Sequence, residues 1–446
     1  MRKRYLIPLL LLSAMSALGQ EKWTLRQCIE YAIENNIDIR SRMIEKENQE
    51  IQLNTAKMSR LPNLNAGASE HFGFGRSTTR EGTTEDNTSS STSFNLQTSL
   101  PVFTGFRIPN EIKAKKFDLA AAIEDLNKAK EDLSLNITGF YLQSLFAKEL
   151  LTISIEQVRL SKEQLVQTEQ LVKNGKSPIS QLYETQAQLA KDELTLTESE
   201  NNVMLALLDL SQVLNLPNEK DFDIETPDIA AILVQDMKEL LNPMEVYDYS
   251  VSNRPGIKAA QYRLESSLKN LNIAKSNYYP SLSLSAGYSN SYYYSYNLPE
   301  GMKNLSFRDQ LKNNGSESLG LSLSIPIFNR FATRNQVKQA RLSIDAQKLQ
   351  LLNAKQNLFK EIQQAYFNAS ASESKFKSAA KAVEASRIAY EHEELKYRNG
   401  RSTTLELNNA QVRLERSLAE EAQAKYDYVF RSKILDFYNG KPLYFE

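Results

Sequence analysis

Apolar residues recur at two different periods along this chain of 446 residues. Over most of it the period is helical. From Asn110 to about Lys173 there is no proline and only one glycine, Gly139, and Leu133, Ile137, Phe140 and Tyr141 fall at helical spacing. A second stretch, Asn335 to Asn399, has neither residue, and Leu358, Ile362, Ala365 and Tyr366 take the equivalent places. Such a helix runs roughly 95 Å at ~1.5 Å per residue. That is about three times a bilayer core. The Gln, Lys, Glu and Ala between the apolar rows predict coiled-coil packing.

Four short segments have period two instead, and so predict strands with one apolar and one polar face. They lie at about 61–74, 92–102, 280–296 and 318–327. Leu64, Ala66, Ala68, Phe72 and Phe74 form the first apolar row; Phe94, Leu96, Thr98, Leu100 and Val102 form the second. Leu282, Leu284, Ala286, Tyr288, Tyr292 and Tyr294 form the third; Leu319, Leu321, Leu323, Ile325 and Ile327 form the fourth. Glu70 and Asn290 break the pattern by landing on apolar faces, and Tyr293 lands on a polar one. The strands pair as two hairpins, joined by the polar connections Gly75–Ser91 and Pro299–Glu317. A soluble sandwich also alternates. Four strands, however, are too few to close a barrel, which needs about eight, and two hairpins on long helices leave open edges. Copies from other chains close those edges, and three chains supply twelve strands. The tyrosines at 288, 292, 293, 294 and 296 fit either an aromatic belt at a membrane interface or rings stacked in a soluble sheet.

The chain is internally duplicated. Ser99-Leu100-Pro101-Val102-Phe103 returns 225 positions later as Ser324-Ile325-Pro326-Ile327-Phe328. The same offset carries Asn110, Lys113, Tyr141, Gly175, Ser177 and Gln186 onto Asn335, Lys338, Tyr366, Gly400, Ser402 and Gln411. A unit of this length is no solenoid repeat of roughly 20–50 residues; it predicts two equivalent halves, at 20–215 and 244–446, joined by a segment at 216–243. Pro62 and Pro280 mark helix-to-strand junctions, and Pro101 and Pro326 close the returning strands.

Formal charge is balanced, 54 basic against 54 acidic residues, which argues against nucleic acid as a partner. Arg2-Lys3-Arg4, the apolar Leu6–Leu12 and the small-residue end Ala17-Leu18-Gly19 read as a secretory leader over 1–19. Beyond it no apolar run reaches the ~18 residues of a spanning helix, so the mature protein is either exported and soluble or crosses a membrane as strands.

Candidate chemistry is sparse. Gly-x-Ser-x-Gly, a phosphate-cradling glycine loop and His-Glu-x-x-His are absent, so no enzyme, cofactor or metal is expected. His71, His392 and Cys28 cannot build a common zinc site or an internal disulfide, and Cys28 sits on an apolar helical face as a core residue. Two turns stand out: Val172-Lys173-Asn174-Gly175-Lys176-Ser177-Pro178 and Tyr397-Arg398-Asn399-Gly400-Arg401-Ser402-Thr403. Each glycine can cap the helix before it. Ser177 in the first turn, and Ser402 or Thr403 in the second, can cap the helix after it.

These motifs, in this order and duplicated, resemble the TolC-type outer-membrane efflux proteins over the whole mature chain. The resemblance rests on Thr24-Leu25 with Ala32 and Asn35-Asn36, the Ala-Lys-x4-Pro junctions at Pro62 and Pro280, the motifs at Pro101 and Pro326, Asn253-Arg254-Pro255, and the turns at Gly175 and Gly400. It implies a mainly α protein with a membrane β-barrel: a homotrimer whose twelve strands cross the outer membrane, touching its lipid, and whose helices continue as a tunnel into the periplasm. It implies an exit duct for small molecules or polypeptides, working with a periplasmic adaptor (membrane fusion) protein and an inner-membrane pump. Tyr397 would join a gating network, and Glu406 and Asn409 would line the entrance, with Gln181 where the first half is often acidic. Gly175, Ser177, Gly400, Arg401 and Ser402 would form the tips that dock the adaptor, although Arg401 is one place off the family's basic gate position. Glu406 reads equally as a ring of charge or as a solvated helix residue, and Lys173, Lys176, Arg398 and Arg401 as adaptor contacts or as solubilising charge. Against a duct stands a structural coiled-coil protein of the envelope; a rod, however, needs no amphipathic strands.

Overall fold

The structure, a computed structural model, describes residues 22–78, 82–217, 222–229, 241–298 and 301–444. The leader expected at 1–19 lies outside the described residues, as does part of the segment at 216–243. The fold is mainly helical with a four-stranded and a two-stranded sheet. It divides into two compact units, each built from pieces of both repeats.

The strand unit comprises Arg42–Leu126 and Pro255–Lys355. Its sheet holds β1 (Asn63–Gly73), β4 (Ser89–Thr104), β5 (Ser281–Ser295) and β6 (Ser316–Ser324), antiparallel in that order. β1 and β6 are thus open edges. The register sorts the side chains as the alternation requires. One face carries the rows Leu64–Thr98–Ala286–Leu319, Ala66–Leu96–Tyr288–Glu317 and Leu100–Leu284–Leu321. The other carries Asn65–Gln97–Gly287–Ser318 and Asn63–Ser99–Ser285–Gly320. Nothing among the described residues covers the apolar face: Leu64, Phe72, Leu319, Leu321 and Leu323 are all exposed, Leu319 to 78%.

The strands differ from the sequence reading in three places. A bulge between Pro101 and Phe103 sets Phe103, not Val102, opposite Leu282. Proline has no N–H for the ladder, and the extra residue re-phases everything after it. β6 stops at Ser324 rather than 327, because β5 begins at Ser281, opposite Ser324, and offers no partner further on. The two connections are not plain loops. The first holds a small hairpin of β2 (Arg76–Thr78) and β3 (Thr84–Asp86), and the second holds a short helix, α7 (Phe307–Asn313).

That helix explains the residues that broke the alternation. β6 reaches only as far as Ser289, leaving the outer edge of β5 bare at Ser291, Tyr293 and Ser295. Side-chain amides take up the bare groups. Gln310 accepts from the Tyr293 N–H at 2.9 Å and donates to its carbonyl at 2.7 Å. Asn304 does the same for Ser295 at 3.0 and 2.8 Å, and Asn314 donates to the Ser291 carbonyl at 2.7 Å. Asn290 donates to the Leu311 carbonyl at 2.7 Å, and Phe307 meets Tyr292 edge-on at 5.0 Å. Glu70 accepts from the Thr92 hydroxyl across the β1–β4 pair.

The duplication is visible in the backbone. Helix α3 (Arg107–Lys173) and helix α8 (Ala332–Arg398) have 67 residues each, and the 225-residue offset maps both ends of one onto the other. Each begins three residues before the sequence-expected start; in α3 this takes in Pro109, which in the first turn loses no helical hydrogen bond. The turns before them repeat as well. Gly105 and Phe106 have φ of 60° and 65°, and Arg330 and Phe331 have 56° and 64°. At Gly105 a Cβ would come within 2.6 Å of the Ser276 carbonyl oxygen, so only glycine fits.

The helical unit comprises the described parts of Met1–Ser41, Asn127–Arg254 and Gln356–Glu446. It holds α1 (Leu25–Asn35), α4 (Ile179–Leu214), α5 (Pro243–Asn253) and α9 (Thr404–Tyr438), with the distal parts of α3 and α8. α1 opens on a capping box between Thr24 and Gln27. Two further helices, α2 (Ile37–Met58) and α6 (Pro255–Ser276), belong mostly to the strand unit. The helical core gathers Cys28, Ala32, Ile137, Tyr141, Leu145, Leu210, Leu214, Tyr428 and Val429. Burial pushes the Cys28 thiol up to about 12. The connecting segment docks here: Trp23 and Ile224 form a parallel bridge, and the Tyr141 hydroxyl donates to the Glu225 carbonyl at 2.7 Å. Arg254, between α5 and α6, pairs with Glu131 at 2.8 Å and lies 3.7 Å over the Phe437 ring.

Candidate functional site: the helical-hairpin tips

α3 and α4, and α8 and α9, are each joined by a turn of five residues. Both turns have the same hydrogen-bond pattern. Gly175, at φ 66°, donates to the Val172 carbonyl, and Lys176 donates to the Leu171 carbonyl. Gly400, at φ 69°, donates to the Tyr397 carbonyl, and Arg401 to the Lys396 carbonyl. These are Schellman motifs, in which a left-handed glycine satisfies the last helical carbonyls.

The turns differ in how they start the next helix. α9 opens on a full capping box: the Glu406 N–H donates to the Thr403 hydroxyl at 3.2 Å, and the Glu406 carboxylate accepts from the Thr403 N–H at 2.9 Å. α4 opens on Pro178 with no side-chain cap. Ser177 therefore does not cap α4, as its position in the sequence suggests. Its hydroxyl turns to the Gln181 side chain, because Pro178 occupies the cap position. The duplicate contact survives in the second turn, where the Ser402 hydroxyl reaches Glu406 at 3.1 Å.

The second tip is also the acidic one. Ser402 donates to Glu393 as well as to Glu406, and Lys396 lies 3.0 Å from Glu393. The Ser402 hydroxyl, then Lys396, hold the Glu393 carboxyl below the usual carboxylate range; the Thr403 N–H, then the Thr403 and Ser402 hydroxyls, do so for Glu406. At the duplicate positions the first tip has Thr168 and Gln181.

Tyr397 is buried, with its hydroxyl 3.4 Å from that of Thr168 on α3 and 3.5 Å from that of Thr404 on α9. It heads a polar seam. Ser154, Gln157, Ser161, Gln164 and Thr168 recur at spacings of three and four along α3, and all are buried. Ser154 bonds Ser199 at 2.9 Å, Ser161 donates to the buried Asp192, and Gln164 donates to Asn408 at 2.9 Å. Gln411 reaches Ser161 at 3.5 Å, and Gln157 Nε2 has no hydrogen-bond partner among the described residues. A coiled-coil seam is ordinarily apolar; this one is made of hydroxyls and amides.

The structure thus brings Tyr397, Ser402 and Glu406 to one tip with Glu393, Thr168 and Thr404. Gln181 stands half-buried at the other. Asn409 is exposed, and it is its neighbour Asn408 that meets Gln164. Arg398 is paired with Glu394 at 2.5 Å. The sequence reading missed Glu393, Asn408 and the polar seam. The available signal was a run of Ser, Gln and Thr at helical spacing. Among the described residues no cluster of side chains suits a metal, and no helix is long and apolar enough to cross a membrane.

Comparison with known proteins agrees with this architecture. The family model for outer membrane efflux proteins matches residues 28–216 and 246–440, one match in each repeat. The chain is 25% identical to outer membrane protein TolC of Escherichia coli over 434 residues, 95% of this chain and 84% of that one. It is 20% identical to the alkaline protease secretion protein AprF of Pseudomonas aeruginosa over 320 residues, 71% of this chain and 63% of that one. A crystal structure of CusC, a transmembrane channel, superposes with a TM-score of 0.78 at 18% identity, covering 96% of each chain. The chain belongs to the outer membrane efflux protein family.

Proposed function

We propose that this protein is the exit duct of an efflux or secretion system, resident in the outer membrane, and that three copies close it. Four strands per chain then make a twelve-stranded barrel, and the helices of both repeats make the tunnel on the periplasmic side. The observation that carries this reading is the sheet itself. Its apolar face is uncovered along β1, β4, β5 and β6, its other face is polar and small, and its edges β1 and β6 are open. Lipid outside and water inside satisfy both faces, and closure removes both edges.

In this reading residues 1–19 are a removed leader, 20–215 and 244–446 are the two repeats, and 216–243 is the equatorial connection. The tips close the periplasmic entrance. Tyr397 ties α8 to α3 and α9; Glu406, Asn409 and Gln181 stand at the constriction. Gly175, Ser177, Gly400, Arg401 and Ser402 form the end that meets a periplasmic adaptor, which couples the duct to an inner-membrane pump. Cargo of both kinds is carried in the family, small molecules and, as the name of AprF records, a protease.

The test is fractionation followed by conductance. The mature protein is expected in the outer-membrane fraction and as cation-selective channels in planar bilayers. Recovery in the soluble periplasm would overturn the reading. For the constriction, Glu406→Gln should weaken block of the channel by multivalent cations.

A further inference from the structure

The polar seam of the helical unit holds a carboxylate with no cation beside it. Asp192 on α4 is 4% exposed. It has no basic partner among the described residues, and its two oxygens accept from the Ser161 hydroxyl on α3 and from Gln188 Nε2 at 2.7 Å. A buried charge supported only by neutral donors is costly. A second acid lies close by. Asp192 and Gln411 both meet Ser161, and Glu415, one turn beyond Gln411 on α9, is half-buried. The pairs Gln164–Asn408 and Ser161–Gln411 fix how α3 runs against α9. Continued by one turn, the same register sets Gln157 level with Glu415. Gln157 is 6% exposed, and its Nε2 has no hydrogen-bond partner among the described residues. One spot thus gathers two carboxyl groups and a buried donor in need of an acceptor.

We propose that this spot is a proton-binding site: a proton taken from water and shared between Glu415 and Asp192 latches α9 to α3 and α4. Protonated Glu415 donates its hydroxyl to the Asp192 carboxylate, whose oxygens keep free lone pairs beside Ser161 and Gln188. Its carbonyl oxygen accepts from Gln157 Nε2. Without the proton, two negative charges face each other across the seam, Gln157 stays unpartnered, and α9 is pushed away from α4. For its role the latch rests on the reading of the tips as the entrance of the duct; the pairing itself does not.

The electrostatics agree with the geometry. Burial, then the Asp192 carboxylate, push the Glu415 carboxyl above the usual carboxylate range, with Lys191 opposing. The other charges near this level are engaged elsewhere: Arg159 with Glu156 and Glu163, Lys162 with Glu193, and Arg416 with Glu420. α8 meets α9 here through the Ser386 and Ser417 hydroxyls at 3.0 Å. Arg413 of α9 and Glu384, Arg387 and Glu391 of α8 are exposed. A raised pKa means that the latched form takes up the proton more readily than the parted one. The stability it adds is complete below the ordinary glutamate value of about 4.3 and is lost as pH rises through the higher latched value. Glu393 and Glu406 at the tip act in the opposite sense, so the two effects separate by their slopes.

Hydrogen exchange in the mature protein, reconstituted in lipid, decides. Corrected for intrinsic rates, the amides of residues 411–419 should exchange severalfold faster at about pH 8 than at about pH 5. Glu415→Gln, whose amide can donate to Asp192 and accept from Gln157 without a charge, should keep the slow exchange at both. Asp192→Asn removes the repulsion from the other side and should flatten the dependence likewise; it serves if the first variant misfolds. Exchange that is equal at both pH values in the native protein would overturn the latch. So would full pH dependence in a folded Glu415→Gln or Asp192→Asn protein. Conductance in planar bilayers separates the latch from the gate: channels should open more often at the higher pH, and Glu415→Gln should abolish that response. Exchange that responds while conductance does not would support the latch and remove the tip from the entrance.

Discussion

Gln310 treats Tyr293 as a neighbouring strand would, accepting from its N–H and donating to its carbonyl. The side-chain amide has the donor and acceptor of a peptide group and replaces β6 where β6 has not yet begun. Gln310 is buried, so truncating it leaves two backbone groups without partners. Gln310→Ala should destabilise the distal end of the sheet by about 2 kcal/mol. The check is a shift of the urea midpoint with faster proteolysis of the 296–315 connection. An unchanged cleavage rate would mean that water serves the edge equally well.

Arg254→Lys keeps the charge but loses the planar stack on Phe437 and the contact with its carbonyl. Glu131 is then left half-buried beside a weaker partner. A loss of about 2 kcal/mol is expected in thermal or denaturant unfolding, and Arg254→Met should lose more, because the carboxylate is then unpaired.

Tyr397→Phe removes one hydroxyl from the contact with Thr168 and Thr404. Both contacts are long, so the expected stability loss is small, about 1 kcal/mol. If the tip is the constriction, single-channel conductance in planar bilayers should rise or open events should lengthen; identical traces would remove Tyr397 from the gate.

Glu393 and Glu406 have pKa values held below the ordinary carboxylate value of about 4.3. A depressed pKa means that the folded turn prefers the ionised form. The stability it contributes is complete above the unfolded value and is lost as pH falls through the lower folded one. Hydrogen exchange at Thr403 and Glu406, corrected for intrinsic rates, should therefore speed up below about pH 4. Glu406→Gln should flatten most of that dependence.

Cys28 is fully buried and its thiol is pushed up to about 12. Maleimide at pH 8 should leave it unmodified in the folded protein and label it on unfolding in urea. Labelling in the native state would show that α1 separates from the helical core.

Much of this fold is legible in the residues, because two periods and one offset carry it. Period two places all four long strands, and the 225-residue offset maps α3 onto α8 end for end. What was not legible depends on neighbours distant in sequence. The end of β6 is set by where β5 starts, and the substitution of Phe103 for Val102 by a bulge. Asn290 and Tyr293, which break the alternation, make sense only beside α7, a helix of seven residues hidden in a polar connection. At the tips, the glycines announce both turns. The capping by Thr403 rather than Ser402, and the meeting of Glu393 with Ser402 across nine residues, follow from the direction in which a capped helix leaves its turn. The polar seam is not legible, because Ser, Gln and Thr at helical spacing resemble any solvated face until a second helix covers them.

That seam has a thermal consequence. Opening an apolar interface to water raises heat capacity, and its equilibrium bends with temperature; exposing polar surface changes heat capacity in the opposite sense. Parting α3 from α4 and α9 along Ser154, Ser161, Gln164 and Thr168 wets hydroxyls and amides together with the aliphatic carbons around them, so the two contributions offset. The equilibrium of any parted state should therefore follow a nearly straight van't Hoff line, while the apolar core around Tyr141 and Tyr428 carries the curvature of the protein's stability.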